Sequence, residues 1–359
     1  MAVKIIHCGD LHLDCALRSN FPREKAKLRN VELCTTFGRL VAFAKREQVS
    51  AVLIAGDLFD SPYASRRTTD YVLDLIRGAE EITFFYLRGN HDERRNVFAD
   101  YKLPNNLKTF TTHWTSYRCG DAVITAVEPE DDGWLNMYES LQLDEKNLNI
   151  VMLHGQTAQQ PAVDTVALPL LRNKFIRYLA LGHLHTYSKA PLDEYGEYCY
   201  AGCLEGRGFD ECGQKGFALL ETNGNRIESR FVPFASRTLH DLSVDISDAE
   251  TAPQILSKLK QAAAGIGAED LVKFTLTGTY TLKTQKDLDF LQKMLEPDYW
   301  FVKINDESRL AIDRKSYEHD ISLKGEFVRA VLASNRSEGE KERIISCGIR
   351  ALSGEEVLL

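Results

Sequence analysis

The chain has 359 residues, 44% of them hydrophobic, and a formal net charge of −8. This length suggests two domains or one large domain with an appendage, and the composition is ordinary for a globular protein. No apolar run is long enough to cross a bilayer, so we expect no membrane span, and the acidic balance argues mildly against a nucleic-acid substrate.

The start of the chain and its cysteines indicate a cytoplasmic protein. A strand-like run begins within three residues of the N-terminus, so we expect no signal peptide. The eight cysteines show no framework spacing, which favours reduced thiols. Cys199, Cys203 and Cys212 lie close together in sequence but lack a paired Cys-x-x-Cys, so a zinc site is a poor prediction.

Strand-like and helix-like patterns alternate through residue 90, and β patterns return later in the chain. Apolar runs at 3–6, 52–55, 84–87, 150–153 and 178–181 predict buried strands, and further strands are predicted within 107–127 and at 196–201, 216–221 and 227–232. Helices are predicted at 23–48, 67–79, 134–143 and 163–175. Together these elements predict a four-layer α/β/β/α sandwich.

A boundary at residues 233–237 divides the chain. We expect a main domain at 1–235 and a small α+β domain at 236–323, with strands at 242–246, 272–277 and 300–304 and helices at 254–264 and 284–295. The remaining residues, 324–359, predict a tail of two short helices with apolar stripes. These stripes serve either packing on the chain's own domains or docking of a partner.

Five short motifs follow the apolar runs, and each carries metal-binding side chains. They are Gly9-Asp10-Leu11-His12, Gly56-Asp57, Gly89-Asn90-His91-Asp92, His154-Gly155 and Gly182-His183-Leu184-His185. Strand ends on one edge of an open sheet converge in space. Mixed oxygen and imidazole ligands suit manganese, iron or zinc better than calcium or magnesium alone. The motifs therefore predict a two-metal phosphoesterase site.

The spacing within the motifs agrees with this chemistry. Asp10 and His12 are two residues apart, as are His183 and His185, so in an extended segment each pair projects from one face. The two oxygens of Asp57 suit a bridge between two cations. Two ions about 3.5–4 Å apart activate a water molecule and hold the attacking and leaving oxygens of an in-line displacement.

The motif series resembles the calcineurin-like metallophosphoesterase superfamily over roughly the first two thirds of the chain. The string from Ile6 to Asp14 and the ending Gly182-His183-Leu184-His185 resemble its DNA-exonuclease branch, which holds SbcD-type nucleases and YhaO-like proteins. Many SbcD-type proteins have Ala and Gly where this chain has Gly9 and Asp14, and this shifts the resemblance towards the YhaO-like group. The resemblance implies that the α+β domain caps the active site; a dimerisation module and a simple lid are alternatives.

The resemblance also implies roles for individual residues. The first metal is assigned Asp10, His12, Asp57 and His185, and the second Asp57, Asn90, His154 and His183. His91 matches the family's catalytic histidine, which is not a ligand and which protonates the leaving 3′ oxygen or stabilises charge on the phosphate. Asp92 is then expected to hold the His91 ring in one tautomer.

Other polar residues have plainer interpretations. His7, His113, His240 and His319 are interpreted as surface or ordinary core residues, and Asp14 and Asp60 as loop or helix-capping residues. Arg88 contacts either a phosphate or a strand-edge carboxylate. The pairs Arg66-Arg67 and Arg94-Arg95 lie in loops that follow strand ends. Their position supports two interpretations equally: they bind substrate phosphates, or they form only a solvated surface.

Three functions are compatible with the sequence. The first is a manganese-dependent DNA exonuclease or endonuclease of DNA repair, with Fe²⁺ or Zn²⁺ as alternative metals and with a homodimer or an SbcC-type coiled-coil ATPase as partner. The second is a metallophosphatase or phosphodiesterase for a small nucleotide or phosphoprotein. The third is a structural subunit of an ATPase, which has no need of His91.

Overall fold

The computed structural model describes residues 3–17, 21–60, 64–92, 97–128, 137–224, 226–281, 284–311 and 317–354. The chain divides into two compact units, Met1–Leu239 and His240–Leu359. The division falls after residue 239 rather than 235, and the predicted tail at 324–359 belongs to the second unit instead of forming a segment of its own. No helix in the described ranges has the length and apolar character needed to cross a bilayer.

The first unit contains two six-stranded sheets. Its strands are β1 (Lys4–Cys8), β2 (Ala51–Ala55), β3 (Thr83–Leu87), β4 (Leu107–Thr109), β5 (Thr115–Cys119), β6 (Ala122–Ala126), β7 (Leu148–His154), β8 (Gln156–Ala158), β9 (Thr165–Ala167), β10 (Ile176–Gly182), β11 (Ser188–Pro191), β12 (Glu197–Tyr200), β13 (Gly216–Asn223) and β14 (Arg226–Pro233). The sheet orders are β14-β13-β1-β2-β3-β4 and β11-β12-β10-β7-β6-β5. The strands β1, β2 and β3 are parallel, as are β7 and β10.

An apolar core fills the space between the two sheets. Ile5, Leu53 and Phe85 of the first sheet and Ile150 and Tyr178 of the second belong to one buried cluster. These side chains are apolar, so their removal from water is the main favourable term in joining the two layers. The two sheets therefore form the inner layers of the sandwich.

Helices cover the outer faces of the sheets. They are α1 (Arg23–Arg46), α2 (Arg66–Arg77) and α3 (Met137–Ser140). Phe43 of α1 contacts Phe217 of β13, with ring centroids 5.3 Å apart. Tyr138 of α3 belongs to a buried cluster with Leu153 of β7 on the other outer face. The predicted α/β/β/α order is confirmed, with a fourth layer whose helix has only four described residues.

The helix predicted at 163–175 is absent, whereas the helix predicted at 23–48 is present as α1 but buries a different set of residues. The range 163–175 contains β9 and the 3-10 turn Leu168–Leu170. Pro169 lies inside that turn and Thr165 and Val166 are β-branched, and both features disfavour an α-helix. In α1, Leu28 and Val31 belong to the predicted apolar stripe but are 52% and 63% exposed.

The second unit has its own small sheet and core. Its elements are β15 (Leu239–Asp245), α4 (Ala252–Ala262), β16 (Leu271–Thr277), β17 (Thr279–Tyr280), α5 (Leu288–Leu295), β18 (Phe301–Asp306), β19 (Arg309–Leu310), α6 (Leu323–Leu332) and α7 (Glu338–Leu352). The sheet order is β15-β16-β18, so the predicted β-α-β-α-β pattern is present. Val328 of α6 and Ile345 and Ile349 of α7 are buried in the same core as Phe274. These apolar residues of the tail therefore pack on their own domain.

The five motif strands end where the two sheets approach each other. A Cβ atom at Gly182, the last residue of β10, would lie 1.7 Å from the carbonyl oxygen of Ala55, the last residue of β2. Only glycine permits this approach. The prediction of a single sheet edge is therefore wrong, because the motifs come from strand ends of two facing sheets.

Candidate metal centre

The backbone of the motifs turns sharply instead of staying extended. The φ angles are +52° at Asp10, +45° at His12, +47° at Asp57 and +100° at His183. Positive φ is uncommon for residues other than glycine, although Asp and His are enriched there. The predicted extended segments are therefore wrong, and left-handed turns direct these side chains towards one point.

The first ligand cluster joins Asp10, His12 and His185, whose nearest ligand atoms lie within 4.8 Å of one another. The Nε2 atoms of His12 and His185 are 3.2 Å apart. The Nδ1 atom of His12 lies 2.9 Å from Asp60 Oδ1, and that of His185 lies 2.7 Å from Glu211 Oε1. A carboxylate only accepts hydrogen bonds, so each Nδ1 carries the proton and each Nε2 presents a lone pair.

Two lone pairs that face each other repel unless a cation lies between them. Ligands bound to one ion at about 2.1 Å are about 3 Å from each other, in agreement with the observed separation. The donor set at the first cluster therefore fits one divalent metal ion.

The second cluster joins Asp10, Asp57 and His154. The Nε2 atom of His154 lies 2.9 Å from Asn90 Oδ1 and 3.4 Å from Asp57 Oδ2. Its Nδ1 donates to the carbonyl oxygen of Ala55 at 2.9 Å, which leaves Nε2 as the metal-facing nitrogen. This oxygen and nitrogen set fits a second divalent ion.

His183 completes the second cluster. Its Nδ1 atom lies 3.4 Å from Asn90 Oδ1, and its ring centroid lies 5.3 Å from that of His154. Its backbone N–H donates to both carboxylate oxygens of Asp10, at 2.9 and 3.1 Å. His183, which is assigned to the second metal, is thus hydrogen-bonded to Asp10, which is assigned to the first.

Asp57 lies between the two clusters. Its Oδ2 atom is 3.7 Å from His12 Nε2 and 3.4 Å from His154 Nε2, while its Oδ1 atom accepts the backbone N–H of His91 at 2.9 Å. The position of Oδ2 suits a bridge made by one oxygen, whereas the sequence suggested a bridge that uses both.

The protein groups alone favour positive charge at the second cluster. Burial lowers the pKa of His154, but its hydrogen bond to Asp57 and the charge of that residue outweigh burial and raise the pKa to about 9. Burial also raises the pKa of Asp57, yet the hydrogen bond and charge of His154 hold it below its usual range. A site that stabilises an imidazolium also stabilises a metal cation in the same place.

His91 lies beside the clusters and is accessible. Its side chain is 46% exposed, and its ring centroid is 4.8 Å from that of His12. Its Nδ1 atom lies 3.6 Å from Asp60 Oδ1. Within the described residues, the carboxylate paired with this ring is therefore that of Asp60.

Asp92 does not make the contact with His91 that the sequence suggested. It is buried, and its oxygens accept the backbone N–H groups of Leu58 and Phe59, at 3.1 and 3.2 Å, and of Gly89 at 3.2 Å. Burial, followed by the charge of Asp57, raises the pKa of Asp92 to about 6. Asp92 thus connects the loops after β2 and β3, and its structural contacts replace the predicted role.

The pattern of strands, ligands and loops matches one known family. The family model described as calcineurin-like phosphoesterase matches residues 3–187, just over half of the 359 residues. The chain belongs to the calcineurin-like phosphoesterase family. The predicted membership is confirmed, and it implies a phosphoester hydrolase.

Relatives in this family place the chain near two groups. It is 22% identical to the uncharacterized metallophosphoesterase YhaO of Bacillus subtilis, over 84% of this chain and 81% of that protein. It is 25% identical to the DNA double-strand break repair protein Mre11 of Aeropyrum pernix, over 75% of this chain and 71% of that protein. It is 22% identical to the protein of the same name from Methanosarcina acetivorans, over 72% of this chain and 43% of that protein. A solved dimetal phosphatase from Danio rerio is 12% identical with a TM-score of 0.40, over 65% of this chain and 99% of that chain.

The His and Asp clusters of this calcineurin-like phosphoesterase are consistent with two divalent ions. Asp10, His12, Asp57 and His185 would hold the first ion, and Asp57, Asn90, His154 and His183 the second. Such ions, when bound, activate a water molecule and polarise the phosphate. The chain itself supplies the ligand geometry, the carboxylates that orient the ligands and an exposed imidazole at the rim.

Three residues near the first cluster were missed by the sequence reasoning. Asp60 was interpreted as a loop or capping residue, yet it orients His12. Its position three residues after Asp57 was the feature of the sequence that could have indicated a place in the site. Glu211 and Arg207 lie far along the chain in a loop with no recognised motif, and nothing in their spacing indicated a contact with His185.

The remaining candidates follow their plainer interpretations. Asp14 accepts the N–H of Ser65, the N-cap residue of α2, and Arg88 pairs with Glu128 at 2.6 Å. His7 is buried against Tyr178, His240 contacts Asp270, and His113 and His319 are exposed.

Arg66 and Arg67 are exposed at the first turn of α2, and Arg94 and Arg95 lie outside the described residues.

Proposed function

We propose that this protein is a manganese-dependent phosphodiesterase that cleaves DNA, as an exonuclease or endonuclease of DNA repair. The observation that carries the proposal is the convergence of two ligand clusters on Asp57 beside the exposed ring of His91. Two relatives, 25% and 22% identical to this chain over the aligned regions, are named for DNA double-strand break repair.

His91 is the proposed general acid. Its ring adjoins that of His12 but is far more exposed, so a substrate phosphate at the clusters can reach it. In this proposal the imidazole gives its proton to the leaving 3′ oxygen, and the Asp60 carboxylate lies 3.6 Å from its Nδ1 atom. The backbone N–H of His91 donates to Asp57, which fixes this loop relative to the proposed bridging ligand.

Manganese is proposed from the donor types. Carboxylate and amide oxygens together with four imidazoles form an intermediate set that suits Mn²⁺, with Fe²⁺ and Zn²⁺ as alternatives. The cysteines at all eight positions are free thiols, in keeping with the cytoplasm as the proposed compartment. A homodimer and an SbcC-type coiled-coil ATPase remain predicted partners.

Arg66 and Arg67 are proposed to contact the DNA backbone. They are exposed in the first turn of α2. The preceding residue, Ser65, donates its N–H to Asp14 at 2.7 Å, and Asp14 follows the first motif by two residues. This bond ties the start of α2 to the loop that carries His12, so the arginines lie on a segment anchored to the site.

The alternative substrate is a small nucleotide or a phosphoprotein. The net charge of −8 favours it, because a negative protein repels long polyanions at low salt. The same metal ligands and the same His91 would serve either substrate.

The test is cleavage by purified, manganese-loaded protein of end-labelled single- and double-stranded DNA, beside mono- and bis-p-nitrophenyl phosphate. We expect DNA and the diester to be cleaved, and the His91→Ala variant to cleave neither at a comparable rate. Intact DNA together with rapid cleavage of a mononucleotide would replace this proposal with the alternative.

A second assay tests the proposed binding of DNA by α2. Changing Arg66 and Arg67 together to Ala should raise KM for long DNA and weaken its dependence on salt. The log–log slope should become shallower by about 0.9 for each duplex phosphate that the variant no longer binds. Hydrolysis of bis-p-nitrophenyl phosphate should stay nearly unchanged. An unaltered slope would show that these arginines form only a solvated face.

A further inference from the structure

Arg207 joins the two carboxylates that hold the histidines of the first cluster. Its Nε and Nη2 atoms donate to Glu211 Oε1 at 3.1 and 2.8 Å, and its Nη1 atom donates to Asp60 Oδ1 at 3.2 Å. Those same two oxygens lie 2.7 Å from His185 Nδ1 and 2.9 Å from His12 Nδ1. The Arg207 guanidinium therefore links the carboxylate that contacts His12 to the carboxylate that contacts His185.

The network is enclosed, which makes its geometry stiff. The side chains of Arg207 and Glu211 are 17% and 6% exposed. The second oxygen of Glu211 accepts the backbone N–H of Arg207 at 2.8 Å, so the carboxylate is held from two sides. The buried Lys215 donates to the carbonyl oxygen of His185 at 2.8 Å. Arginine suits such a site because its planar fork presents several donors in fixed directions.

The histidines of the second cluster have different hydrogen-bond partners. The Nδ1 atom of His154 donates to the carbonyl oxygen of Ala55, which is neutral. Within the described residues, the ring of His183 makes a polar contact with Asn90 and no hydrogen bond with a carboxylate. A carboxylate behind an imidazole raises its basicity towards a metal, whereas a carbonyl oxygen does so less. The two metal sites are therefore built unequally.

We propose that Arg207 is a positioning residue: through Asp60 and Glu211 it holds His12 and His185 in register and so raises the affinity of the first metal site. The inference rests on the ligand set of the proposed function but is independent of the DNA substrate. Arg207 itself contacts neither the metal nor the phosphate in this proposal.

The test is calorimetric titration of Mn²⁺ into chelator-stripped wild-type, Arg207→Met and Arg207→Lys proteins. We expect two binding steps in the wild type. Arg207→Met should weaken one binding step by about 10–100-fold and leave the other within about threefold, and Arg207→Lys should recover part of the loss. Arg237→Met is the matched control, because Arg237 is 13% exposed and pairs with Glu32 at 2.7 Å away from the ligands.

Thermal unfolding of the stripped proteins checks that each variant folds. If Arg207→Met does not fold, Glu211→Gln replaces it: it keeps the side-chain volume but removes the charge behind His185, and the same selective weakening is expected. Unchanged binding in the variants, or equal weakening of both steps, would overturn the inference. A wild type that binds fewer than two ions would overturn the ligand assignment and this inference together.

Discussion

The Nε2 nitrogens of His12 and His185 lie 3.2 Å apart, although the two residues follow strands of different sheets. Each ring directs its protonated nitrogen to a carboxylate and its lone pair to the other ring. This arrangement is unfavourable for the protein alone and favourable around a cation. The arrangement of these two rings therefore fits a divalent metal ion between them.

Asp57→Ala should remove both metal ions at once and abolish hydrolysis. The reason is that Asp57 Oδ2 approaches a histidine of each cluster, at 3.7 and 3.4 Å. Elemental analysis of the purified variant measures the metal content per chain. Asp74→Ala is the control, because Asp74 is an exposed carboxylate that pairs with Arg77 on α2 and should leave the metal content unchanged. Two ions retained by the Asp57 variant would show that it is not the bridge.

His91→Ala should keep both ions but lower the rate of diester hydrolysis by about 10²–10⁴-fold, the size of a lost general acid. The ring is exposed and adjoins the clusters, while the contact of this residue with Asp57 uses only its backbone N–H. Parallel measurements of kcat and metal content check this outcome. A variant that loses metal in proportion to its activity would make His91 a ligand.

Asp92→Ala should act mainly on stability. Three backbone N–H groups lose their acceptor, and unsatisfied buried groups cost about 1–3 kcal/mol each, so we expect a loss of about 2–4 kcal/mol after partial relaxation. Urea unfolding of the chelator-stripped protein measures this change. Normal stability combined with a rate as low as that of His91→Ala would restore the orienting role that the sequence suggested.

His7 should make the fold sensitive to acid. Burial lowers its pKa from 6.5 to about 3, so the unfolded chain binds a proton below pH 6.5 that the folded chain refuses. The stability contributed by neutral His7 is complete above pH 6.5 and is lost as the pH falls towards 3. Between pH 7.5 and 5 the loss from this group is about 2 kcal/mol.

The measurement for His7 compares urea unfolding of the wild type and His7→Asn at these two pH values. Asn can still bond to the Tyr178 hydroxyl, which lies 2.9 Å from His7 Nδ1, but it does not titrate. The metal ligands titrate equally in both proteins, so they cancel in the difference. An identical pH dependence in the two proteins would refute the assignment.

The order of strands and helices could be predicted because buried strands leave continuous apolar runs, as in β2, β7 and β10. The proposed metal ligands could be located in the sequence because they follow those runs directly. The left-handed turns at Asp10 and His12 could not, because the apolar pattern carries no information on the φ angles of a loop.

Long-range contacts also escaped prediction. Glu211 lies 26 residues from His185, and Asp60 lies 48 residues from His12, so only the folded sandwich brings each pair together. The role of Asp92 was misjudged for a related reason: it follows His91 in sequence, yet its carboxylate turns towards the backbone of the neighbouring loop. Adjacent side chains in a turn point in different directions.

We expect hydrolysis to require two metal ions held by these residues. Stepwise addition of Mn²⁺ to the chelator-stripped protein, with the rate of bis-p-nitrophenyl phosphate hydrolysis recorded at each step, measures this requirement. The stripped protein should be inactive, and the rate should rise to its maximum as the second ion binds. Full activity in the stripped protein, or a maximum reached with one ion per chain, would contradict the two-metal account.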